Sequence, residues 1–573
     1  MMKKYSLLKR GLALLLVLVL LVPMLCTAAL ADNKEAERGT DYTTVFVHGL
    51  MGWGDEEHLS DLIANWGMLA GDMPDYLDDL GYDVYVASMG PISSAWDRCC
   101  ELFAQLTGTK VDYGQAHADK CCAEYADLGY CLQHARYGRD YTGDAKIDGW
   151  GPIYDEAGRV TGWYDNKINL IGHSFGGPTA MMFLQLLAEG DEDEIAWGKA
   201  QAAENGGDWH DYVSPLFWGD YDGEYLVNSV TSLAGVLNGT TFISANDDAM
   251  VLLKDLCALL ANGIGVTDFA EIYDFQLEQF GLTKSSHTDL DAYFSLLKQR
   301  GFIKGSDHAF YDLSVDGTNQ LKQGWKTYDN VYYFSYAGDK SYASCLTGNQ
   351  LPDADMWAIL LAFSAKMGSY TNKNELVYDV NGEVCGYIDK SWLANDGMVN
   401  TVSSRYPFGA KHQTYNVNTV TPGIWNVHAD KSMDHFEFIG GLYFPNPPET
   451  KQLFRGMMED IGRTVPVLNE DTELGSAAQD NRLWAPTIWS SGRALLSGKP
   501  VINWAPVLGA GSYIVYRADS ADGDYLKIGT TLGTIYTDYA AKSRTTYYYK
   551  VVAAPISSYL VCSKFSDAVC VKK

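Results

Sequence analysis

The sequence is poor in positive charge and, beyond its first 31 residues, has no apolar run long enough to cross a bilayer. It carries 43 Lys and Arg against 72 Asp and Glu, for a formal net charge of −29. So acidic a surface disfavours nucleic acid and electrostatic docking on anionic lipid, and the missing apolar run disfavours an integral membrane span. None of the 11 cysteines is spaced C-x-x-C, which disfavours a zinc site built from cysteine pairs. We therefore expect no nucleic-acid partner and no membrane-spanning helix in the mature chain.

The N-terminus has the pattern of a secretory signal peptide. Residues 1–10 carry four positive charges and no acid, residues 11–25 are apolar, and Ala29-Leu30-Ala31 offers small residues at the −3 and −1 positions. This pattern is typical of a cleaved leader over residues 1–31 and is too short for a stable membrane span. Removal of its four positive charges brings the formal net charge of −29 to −33. The sequence thus predicts a secreted, extracellular protein with some disulfides, although spacing cannot give their connectivity.

The strongest chemical signal is a Gly-x-Ser-x-Gly motif centred on Ser174. The apolar run Ile168-Asn169-Leu170-Ile171 stops at Gly172-His173-Ser174-Phe175-Gly176, and an apolar helical pattern follows from Ala180. A strand, a sharp turn and a helix are the context of a nucleophile elbow, in which glycines leave room for strand and helix to pass the strained serine. A structural Gly-rich turn would carry the same bare motif, but the flanking strand and helix favour a catalytic Ser174.

An elbow serine needs an oxyanion hole, a base and an acid that orients the base. The run Thr44-Val45-Phe46-Val47-His48-Gly49-Leu50 is a predicted strand ending in His-Gly, so the backbone N–H groups of Leu50 and Phe175 are the predicted oxyanion donors. The expected chain order is Ser, then Asp or Glu, then His. Downstream, Asp396 lies in a turn and His435 opens a new element. The pattern alone leaves three alternatives open, namely Asp389, His412 and His428.

Five short blocks follow one another along the chain between about Thr43 and Val467. They are Val47-His48-Gly49-Leu50-Met51-Gly52-Trp53-Gly54, Ser94-Ala95-Trp96-Asp97-Arg98, Val111-Asp112-Tyr113-Gly114, Leu393-Ala394-Asn395-Asp396-Gly397-Met398-Val399-Asn400 and Asp434-His435-Phe436-Glu437. Together they resemble the secreted lipases of staphylococci and thermophilic bacilli. The resemblance implies an α/β-hydrolase fold, in which a mostly parallel sheet is flanked by helices, and a triad of Ser174, Asp396 and His435.

The same resemblance implies a triacylglycerol lipase that acts on a lipid or ester substrate at an interface. Two alternatives remain. One is an esterase for short-chain or polymeric esters, because the sequence cannot give the length of the acyl pocket. The other is a catalytically silent surface-binding protein, which the intact triad disfavours.

The family that the blocks resemble adds a zinc-binding insertion to the hydrolase fold. The matching ligands here are Asp97, His117, His134 and Asp307. Two imidazoles and two carboxylates suit a structural, tetrahedral zinc, whereas each of these residues alone would be ordinary polar surface. The loop between His117 and His134 is longer than the family's and holds Cys121, Cys122 and Cys131. We expect a disulfide-tied loop, with Cys99 or Cys100 as partners; the alternative is a thiolate that displaces an oxygen ligand of the zinc.

A calcium site is also implied by the resemblance, but the sequence supplies it incompletely. Glu437 matches one ligand, and Asp355 matches a position that supplies a backbone oxygen. The family's aspartate-proline pair is replaced by residues 441–445, which contain no acid. Calcium takes six or more oxygens, so the sequence leaves calcium binding open.

The resemblance further predicts a lid over the substrate. Residues 248–260 form an amphipathic segment with a wide apolar face, which suits a lid. A buried helix has the same pattern and is the alternative.

The C-terminal part of the chain is predicted to be a separate module. Residues 468–484 are acidic and polar, as expected of a linker, and residues 485–573 contain short alternating β-runs separated by turn residues. Such runs favour an all-β sandwich, and Trp504 with the following tyrosine-rich strands resembles a fibronectin type III domain. Its tyrosines are compatible with contact with a surface or carbohydrate, although a sandwich core and edge explain them more simply. The predicted lipase domain with its zinc subdomain then covers residues 32–467.

Overall fold

The computed structural model describes residues 42–464 and 486–571. Within those ranges it leaves out residues 165, 220–225, 247–250, 253, 255, 258–272, 283–289, 418, 442–445, 487, 494–498, 506, 508–509, 522, 524, 543–544, 556–562, 564 and 567. The predicted signal peptide and linker lie outside the described residues, as does most of the predicted lid. The described residues form two compact units that divide near residue 467.

A seven-stranded sheet organises the first unit. Its strands are β1 (Thr44–Val47), β2 (Val84–Val86), β3 (Ile168–His173), β4 (Val227–Leu233), β5 (Tyr332–Tyr336), β6 (His412–Thr414) and β7 (Trp425–Val427). They lie in the order β6-β7-β5-β4-β3-β1-β2, and every neighbouring pair is parallel. The carboxyl ends of all seven strands therefore meet at one edge, where an open α/β sheet places its functional loops.

Helices and small hairpins surround this sheet. The described helices are α1 (Met73–Asp79), α2 (Ala95–Thr107), α3 (Gln115–Asp127), α4 (Gly176–Glu189), α5 (Glu192–Asn205), α6 (Thr241–Ser244), α7 (Leu290–Arg300), α8 (Ala309–Asp312), α9 (Val315–Leu321), α10 (Leu360–Met367), α11 (Thr401–Arg405) and α12 (Pro447–Gly462). Two-stranded antiparallel sheets join Lys110–Asp112 to Tyr137–Asp140, Pro152–Tyr154 to Val160–Trp163, Ser341–Ala343 to Gln350–Pro352, and Asn372–Tyr378 to Val384–Ile388.

Alternate residues of the sheet strands enter two different apolar cores, one on each face. Val45 and Val47 of β1 pack in the core that includes α2 and α4, whereas Phe46 between them packs in the core that includes α1 and α12. All residues of β1 and β3 are buried. Strands that are covered by helices on both faces have continuous apolar sequences, which accounts for the unbroken run before the Gly-x-Ser-x-Gly motif. The predicted α/β fold with a parallel sheet flanked by helices is confirmed.

The second unit is an antiparallel sandwich. Its strands are β8 (Ile488–Arg493), β9 (Pro500–Trp504), β10 (Ala510–Ala518), β11 (Leu526–Thr531), β12 (Ile535–Thr537), β13 (Tyr547–Pro555) and β14 (Val569–Val571). They form sheets of three and four strands, in the orders β8-β9-β12 and β11-β10-β13-β14. Trp504 from one sheet and Val515, Tyr549 and Val551 from the other share one buried core. The predicted C-terminal β-sandwich is therefore confirmed.

No helix among the described residues has both the length and the apolar character that crossing a membrane requires.

Candidate active site

Ser174 lies at the turn between strand β3 and helix α4. Its backbone φ is +55°, a left-handed conformation that costs energy for a residue other than glycine. The turn is tight enough that a Cβ at Gly172 or Gly176 would collide with backbone atoms of Gly176 and Val47, respectively. The serine itself is 5% exposed. The local structure is thus the strand–turn–helix elbow that the motif predicts, with strain concentrated at the serine.

Asp396 and His435 meet at the carboxyl edge of the sheet. His435 Nδ1 lies 2.9 Å from Asp396 Oδ2, and the two side chains are 2% and 1% exposed. The other carboxylate oxygen, Oδ1, accepts the N–H groups of Met398 at 3.0 Å and Val399 at 2.7 Å. The backbone N–H of His435 also donates to the carbonyl oxygen of Asp396 at 2.9 Å. The carboxylate is therefore held in one orientation, and it fixes the ring of His435 with Nδ1 as the protonated nitrogen.

The residues that the sequence pattern left as alternatives lie elsewhere. His412 is exposed and stacks on Tyr406, with ring centroids 3.7 Å apart. His428 pairs with Asp460 at 2.9 Å. Asp389 caps a short helix by accepting the N–H of Ser391 at 2.9 Å. None of these three has a recorded contact with the Asp396–His435 pair within the described part of the chain.

The loop after β1 passes directly against the elbow. A Cβ added to Gly49 would lie 2.7 Å from the Cβ of Ser174 and 3.3 Å from its Oγ, so the close approach requires glycine. The next residue is Leu50, and the residue after the serine is Phe175. Among the described residues, the structure records no hydrogen-bond acceptor for the backbone N–H of Leu50 or of Phe175. Two N–H donors beside a serine hydroxyl, without intramolecular acceptors, are what an oxyanion hole requires.

Buried cationic and imidazole groups hold this loop in place. The guanidinium of Arg98, which is fully buried, donates to the carbonyl oxygen of His48 and lies 4.9 Å from the ring centroid of Phe175. Burial, and secondarily the charge of Arg98, lowers the pKa of His48 to about 3, so His48 is a neutral structural residue. His173 lies with Nε2 3.0 Å from the carbonyl oxygen of His435. Burial lowers the pKa of His173 well below its ordinary value, and its neutral ring can donate to that carbonyl.

Ser174 and His435 line one cavity. Most of its wall is apolar, formed by Leu50, Met51, Trp53, Met68, Leu256, Met398, Phe436 and Ile439. A mostly apolar cavity with a few convergent polar groups is typical of a site for an apolar ligand that carries one reactive polar group. The predicted lid at residues 248–260 lies mainly outside the described residues. Of that segment, Leu252, Leu256 and Cys257 are buried.

A second cluster gathers Asp97, His117, His134 and Asp307. Asp97 lies in the first turn of α2, which Ser94 caps, and His117 lies in the first turns of α3. His134 and Asp307 come from loops, and Asp307 precedes α8. One donor atom from each of the four lies within 4.8 Å of all the others. Residues separated by more than 200 positions in the sequence therefore converge on one point, which could hold a metal ion.

The spacing within this cluster matches a tetrahedral metal site. His117 Nε2 lies 3.5 Å from Asp97 Oδ1 and 3.5 Å from Asp307 Oδ2. His134 Nε2 lies 3.3 Å from Asp97 Oδ1 and 3.4 Å from Asp307 Oδ2. Ligands at about 2.0–2.1 Å from a tetrahedral zinc are about 3.3–3.4 Å apart. Four of the six distances in the cluster therefore match those around a tetrahedral ion, and all four atoms lie within 4.8 Å of one another.

Hydrogen bonding and charge in the cluster also favour a cation at its centre. His117 Nε2 is buried and has no hydrogen-bond partner among the described residues. Burial lowers the pKa of His117, but the carboxylate of Asp307 and then that of Asp97 outweigh burial and raise it to about 10. Gln279 donates to Asp97 Oδ2 at 2.7 Å, which leaves Oδ1 facing the imidazoles. The sequence carried no local signal for Gln279, because its role depends on a fold contact 182 residues away.

The cysteines differ from the expectation. All nine described cysteines outside the leader are free thiols, so the predicted disulfide-tied loop between His117 and His134 is wrong for the described residues. Cys121 and Cys122 lie on helix α3, and Cys121 is buried with Sγ 3.3 Å from Asp307 Oδ2. Cys122 accepts the N–H of His134 at 3.1 Å. Both thiols thus contact residues of the metal cluster from helix α3, without forming a disulfide.

Glu437 and Asp355, the two candidate calcium ligands, face a lysine. The ammonium nitrogen of Lys340 lies 3.2 Å from Asp355 Oδ2 and 3.4 Å from Glu437 Oε2. No sequence motif marks Lys340, because its contacts with Asp355 and Glu437 arise only in the folded chain.

Comparison with known proteins identifies related sequences. The family described as "Lipase-like, C-terminal domain" matches residues 40–471. Lipase 1 of Staphylococcus aureus is 30% identical over 415 residues, which are 71% of this chain and 52% of that protein. The chain thus spans about half the length of the curated relatives that it matches.

Two solved structures resemble the first unit over nearly their whole length. EstA from Clostridium botulinum is 31% identical with a TM-score of 0.60, and the match covers 74% of this chain and 88% of that one. Lipase 1 from Pelosinus fermentans is 33% identical with a TM-score of 0.57, and the match covers 74% of this chain and 98% of that one.

Proposed function

The chain belongs to the lipase-like family that matches residues 40–471, and from that membership we propose that it is a secreted triacylglycerol lipase with a Ser174–His435–Asp396 triad. The proposal rests on one observation above all. The buried 2.9 Å contact between Asp396 and His435 lies at the sheet edge that carries the Ser174 elbow, and Ser174 and His435 line the same cavity. A nucleophile, a base and an orienting acid are the minimum that acyl transfer needs.

In the first step, His435 takes the hydroxyl proton of Ser174 while the serine oxygen attacks the ester carbonyl. Asp396 keeps the proton of His435 on Nδ1, so that Nε2 is free to act as the base, and it stabilises the imidazolium that forms. His435 then returns the proton to the leaving alcohol. Water, deprotonated by the same histidine, releases the fatty acid from the acyl-enzyme.

The backbone N–H groups of Leu50 and Phe175 would bind the oxyanion of each tetrahedral intermediate. Their positions depend on the loop around Gly49 and on Arg98, not on their own side chains. The apolar wall of the cavity would accept the acyl chain, because burial of its methylene groups is worth about 0.8 kcal/mol each.

We propose that Asp97, His117, His134 and Asp307 hold one structural zinc ion. A closed set of two imidazoles and two carboxylates suits zinc, and a bound zinc would contribute to folding stability without a role in the ester chemistry. The site ties α2, α3 and two loops together. Because α2 also carries Arg98, the zinc would stabilise the element that supports the oxyanion loop.

The proposed organisation is a signal peptide at residues 1–31, a lipase domain at residues 32–467, a linker at residues 468–484 and the β-sandwich at residues 485–573. Secretion is supported by the positive start and apolar core of residues 1–25 and by the acidic remainder of the chain. The sandwich has its own core, and we assign it contact with a surface or carbohydrate and no part in catalysis.

An esterase for short-chain or polymeric esters is the second candidate, because the same triad and apolar cavity would serve a short acyl group as well. Turnover of p-nitrophenyl esters from the butyrate to the palmitate separates the two. A lipase keeps its activity on the long-chain, interfacial substrate, whereas a short-chain esterase loses it.

The triad is tested by Ser174→Ala in the full chain. We expect the loss of several powers of ten in turnover with an unchanged melting temperature, and loss of labelling by a fluorophosphonate. The matched control is Ser404→Ala, since Ser404 is buried and its hydroxyl has no hydrogen-bond partner within the described residues. If Ser174→Ala kept a tenth of the wild-type turnover, or was labelled at the wild-type rate, Ser174 would not be the nucleophile.

A further inference from the structure

Lys340 is a buried cation between three loops. It follows strand β5, and its side chain is only 7% exposed. Its ammonium nitrogen lies 3.2 Å from Asp355 Oδ2, 3.4 Å from Glu437 Oε2 and 3.3 Å from the carbonyl oxygen of Ser432. An ammonium group has three N–H donors and no acceptor. Lys340 therefore pairs with two carboxylates and donates a hydrogen bond to one carbonyl oxygen.

The backbone of Lys340 is tied to the same surroundings. Its N–H donates to the carbonyl oxygen of Asn395 at 3.1 Å, and its carbonyl oxygen accepts the N–H of Asp353 at 2.9 Å. Asn395 precedes Asp396, and Ser432 and Glu437 lie on either side of His435. Lys340 thus connects the loop of the proposed acid, the loop of the proposed base and the loop that carries Asp355.

Calcium does not fit this site. It takes six to eight oxygens at 2.3–2.6 Å, and the carboxylate oxygens Asp355 Oδ2 and Glu437 Oε2 already face an ammonium group. A divalent ion placed between Asp355 and Glu437 would be repelled by Lys340 at close range. The carboxylate of Glu437 also accepts the N–H of Asp434 at 2.7 Å, which occupies part of its remaining capacity. The residues that match a calcium site in sequence are thus satisfied by the chain itself.

We propose that the ammonium group of Lys340 takes the place of a calcium ion beside the active site, so that this protein holds its aspartate and histidine loops together without calcium.

The electrostatics of Lys340 agree with this role. Burial alone lowers the pKa of Lys340, but the carboxylate of Glu437, followed by that of Asp355, raises it above its ordinary value. The lysine is therefore charged at neutral pH. A permanent covalent cation needs no free ion in the medium, whereas a bound calcium would be lost when calcium is scarce.

The first test is calcium binding to the full-length, zinc-loaded wild-type protein. Equilibrium dialysis against radioactive calcium at roughly 100 µM, a concentration that fills sensor-type sites, should give no stoichiometric binding. Added calcium should leave the melting temperature unchanged. Saturable binding of one calcium per chain, or a rise of several degrees in the melting temperature, would overturn the proposal. These two measurements do not depend on the proposed hydrolase activity.

The second test removes the charge while keeping the aliphatic stem. Lys340→Met should lower the melting temperature and the turnover of a soluble ester, and Lys340→Arg should restore most of both, because it keeps the positive charge. The matched control is Lys326→Met, which removes an exposed lysine that pairs with Glu189 at 2.7 Å and should change neither the melting temperature nor the turnover.

Two results would contradict the proposal. The first is a Lys340→Met protein that is as stable and as active as Lys326→Met. The second is a folded Lys340→Met protein with reduced turnover whose loss is not restored in Lys340→Arg. If Lys340→Met does not fold, the wild-type calcium measurements still decide the question. Only the turnover measurement on the Lys340 variants rests on the proposed function. A Ser174→Ala protein with full activity would therefore refute the triad, but it would not affect the calcium-binding and melting-temperature measurements.

Discussion

Gly49→Ala is expected to damage the proposed oxyanion hole without removing any proposed catalytic side chain. The added Cβ would lie 2.7 Å from the Cβ of Ser174 and 3.0 Å from the carbonyl oxygen of His173. Ordinary carbon–carbon contacts lie at about 3.5–4.0 Å, so the loop and the elbow must separate by roughly 1 Å. Neither contact partner can rotate away, because one is a Cβ on a strained turn and the other is backbone. The N–H of Leu50, one residue further on, moves with the loop.

The expected loss of kcat follows from the proposed role of the Leu50 N–H as an oxyanion donor. Misplacement of a reacting group by about 1 Å costs about 10²-fold in rate, and loss of one oxyanion donor costs about 10²–10³ in kcat. We therefore expect kcat for p-nitrophenyl butyrate to fall by about 10²–10³, or about 2.7–4 kcal/mol of transition-state stabilisation. KM should change much less, since the donors bind the oxyanion more strongly than the ground-state ester. Stopped-assay kinetics and a melting curve measured on the same preparation give both quantities.

Gly456→Ala is the matched control for this experiment. Gly456 lies in helix α12, and a Cβ there would meet no atom within 4 Å. Its turnover should equal that of the wild type, and its melting temperature should be equal or slightly higher because alanine favours a helix by about 1 kcal/mol over glycine. A folded Gly49→Ala protein that kept more than about a third of the wild-type kcat, far above the loss expected for one oxyanion donor, would refute the assignment of the loop to the oxyanion hole.

Two further predictions concern the metal cluster and the sandwich. Strong chelation, or the double variant His117→Ala/His134→Ala, should remove one zinc per chain and lower the melting temperature. The control His58→Ala, which changes a histidine whose side chain is 84% exposed, should do neither, and a metal-free protein of unchanged melting temperature would contradict the zinc site. A chain that ends near Glu473 should hydrolyse a soluble ester at close to the full rate, because all proposed catalytic residues lie in the first unit and the sandwich has its own core. A truncated protein that folds and binds zinc but loses this turnover would show that the sandwich completes the active site.

Local physics accounts for the parts of the fold that the sequence predicted well. The buried parallel strands β1 and β3 are short apolar runs that end at glycine-containing turns, and each turn has a steric reason that is visible in the sequence. At Gly172 and Gly176 a side chain would collide with backbone. The two glycines of the motif are therefore required by the tight turn at Ser174, and their positions in the sequence predict that turn. The short alternating runs after residue 485 gave the sandwich for a similar reason, because a two-residue period reports which face of a strand is buried.

The partners of Ser174 could not be chosen in that way. Asp396 and His435 are 39 residues apart, and nothing in their local sequence distinguishes His435 from His428, which also pairs with an aspartate. What separates them is the position of their loops at the sheet edge. That position is set by the order of the strands, which is a global property. The metal cluster is a stronger case, because its four residues reach from position 97 to position 307 and meet only after the whole first unit has folded.

The two carboxylate sites of this chain show why matching ligands do not by themselves predict a metal. At the first, the partners of Asp97 and Asp307 are imidazoles, which can be neutral ligands, and one of them leaves a buried nitrogen without a hydrogen bond. At the second, the partner of Asp355 and Glu437 is an ammonium group, which is charged and has no lone pair to offer a metal. The carboxylates are alike, but only at the first site are their partners groups that can themselves bind a metal ion. A lysine four residues after β5, in a chain with no acid at residues 441–445, is therefore the sequence feature by which calcium independence could be recognised before a structure is known.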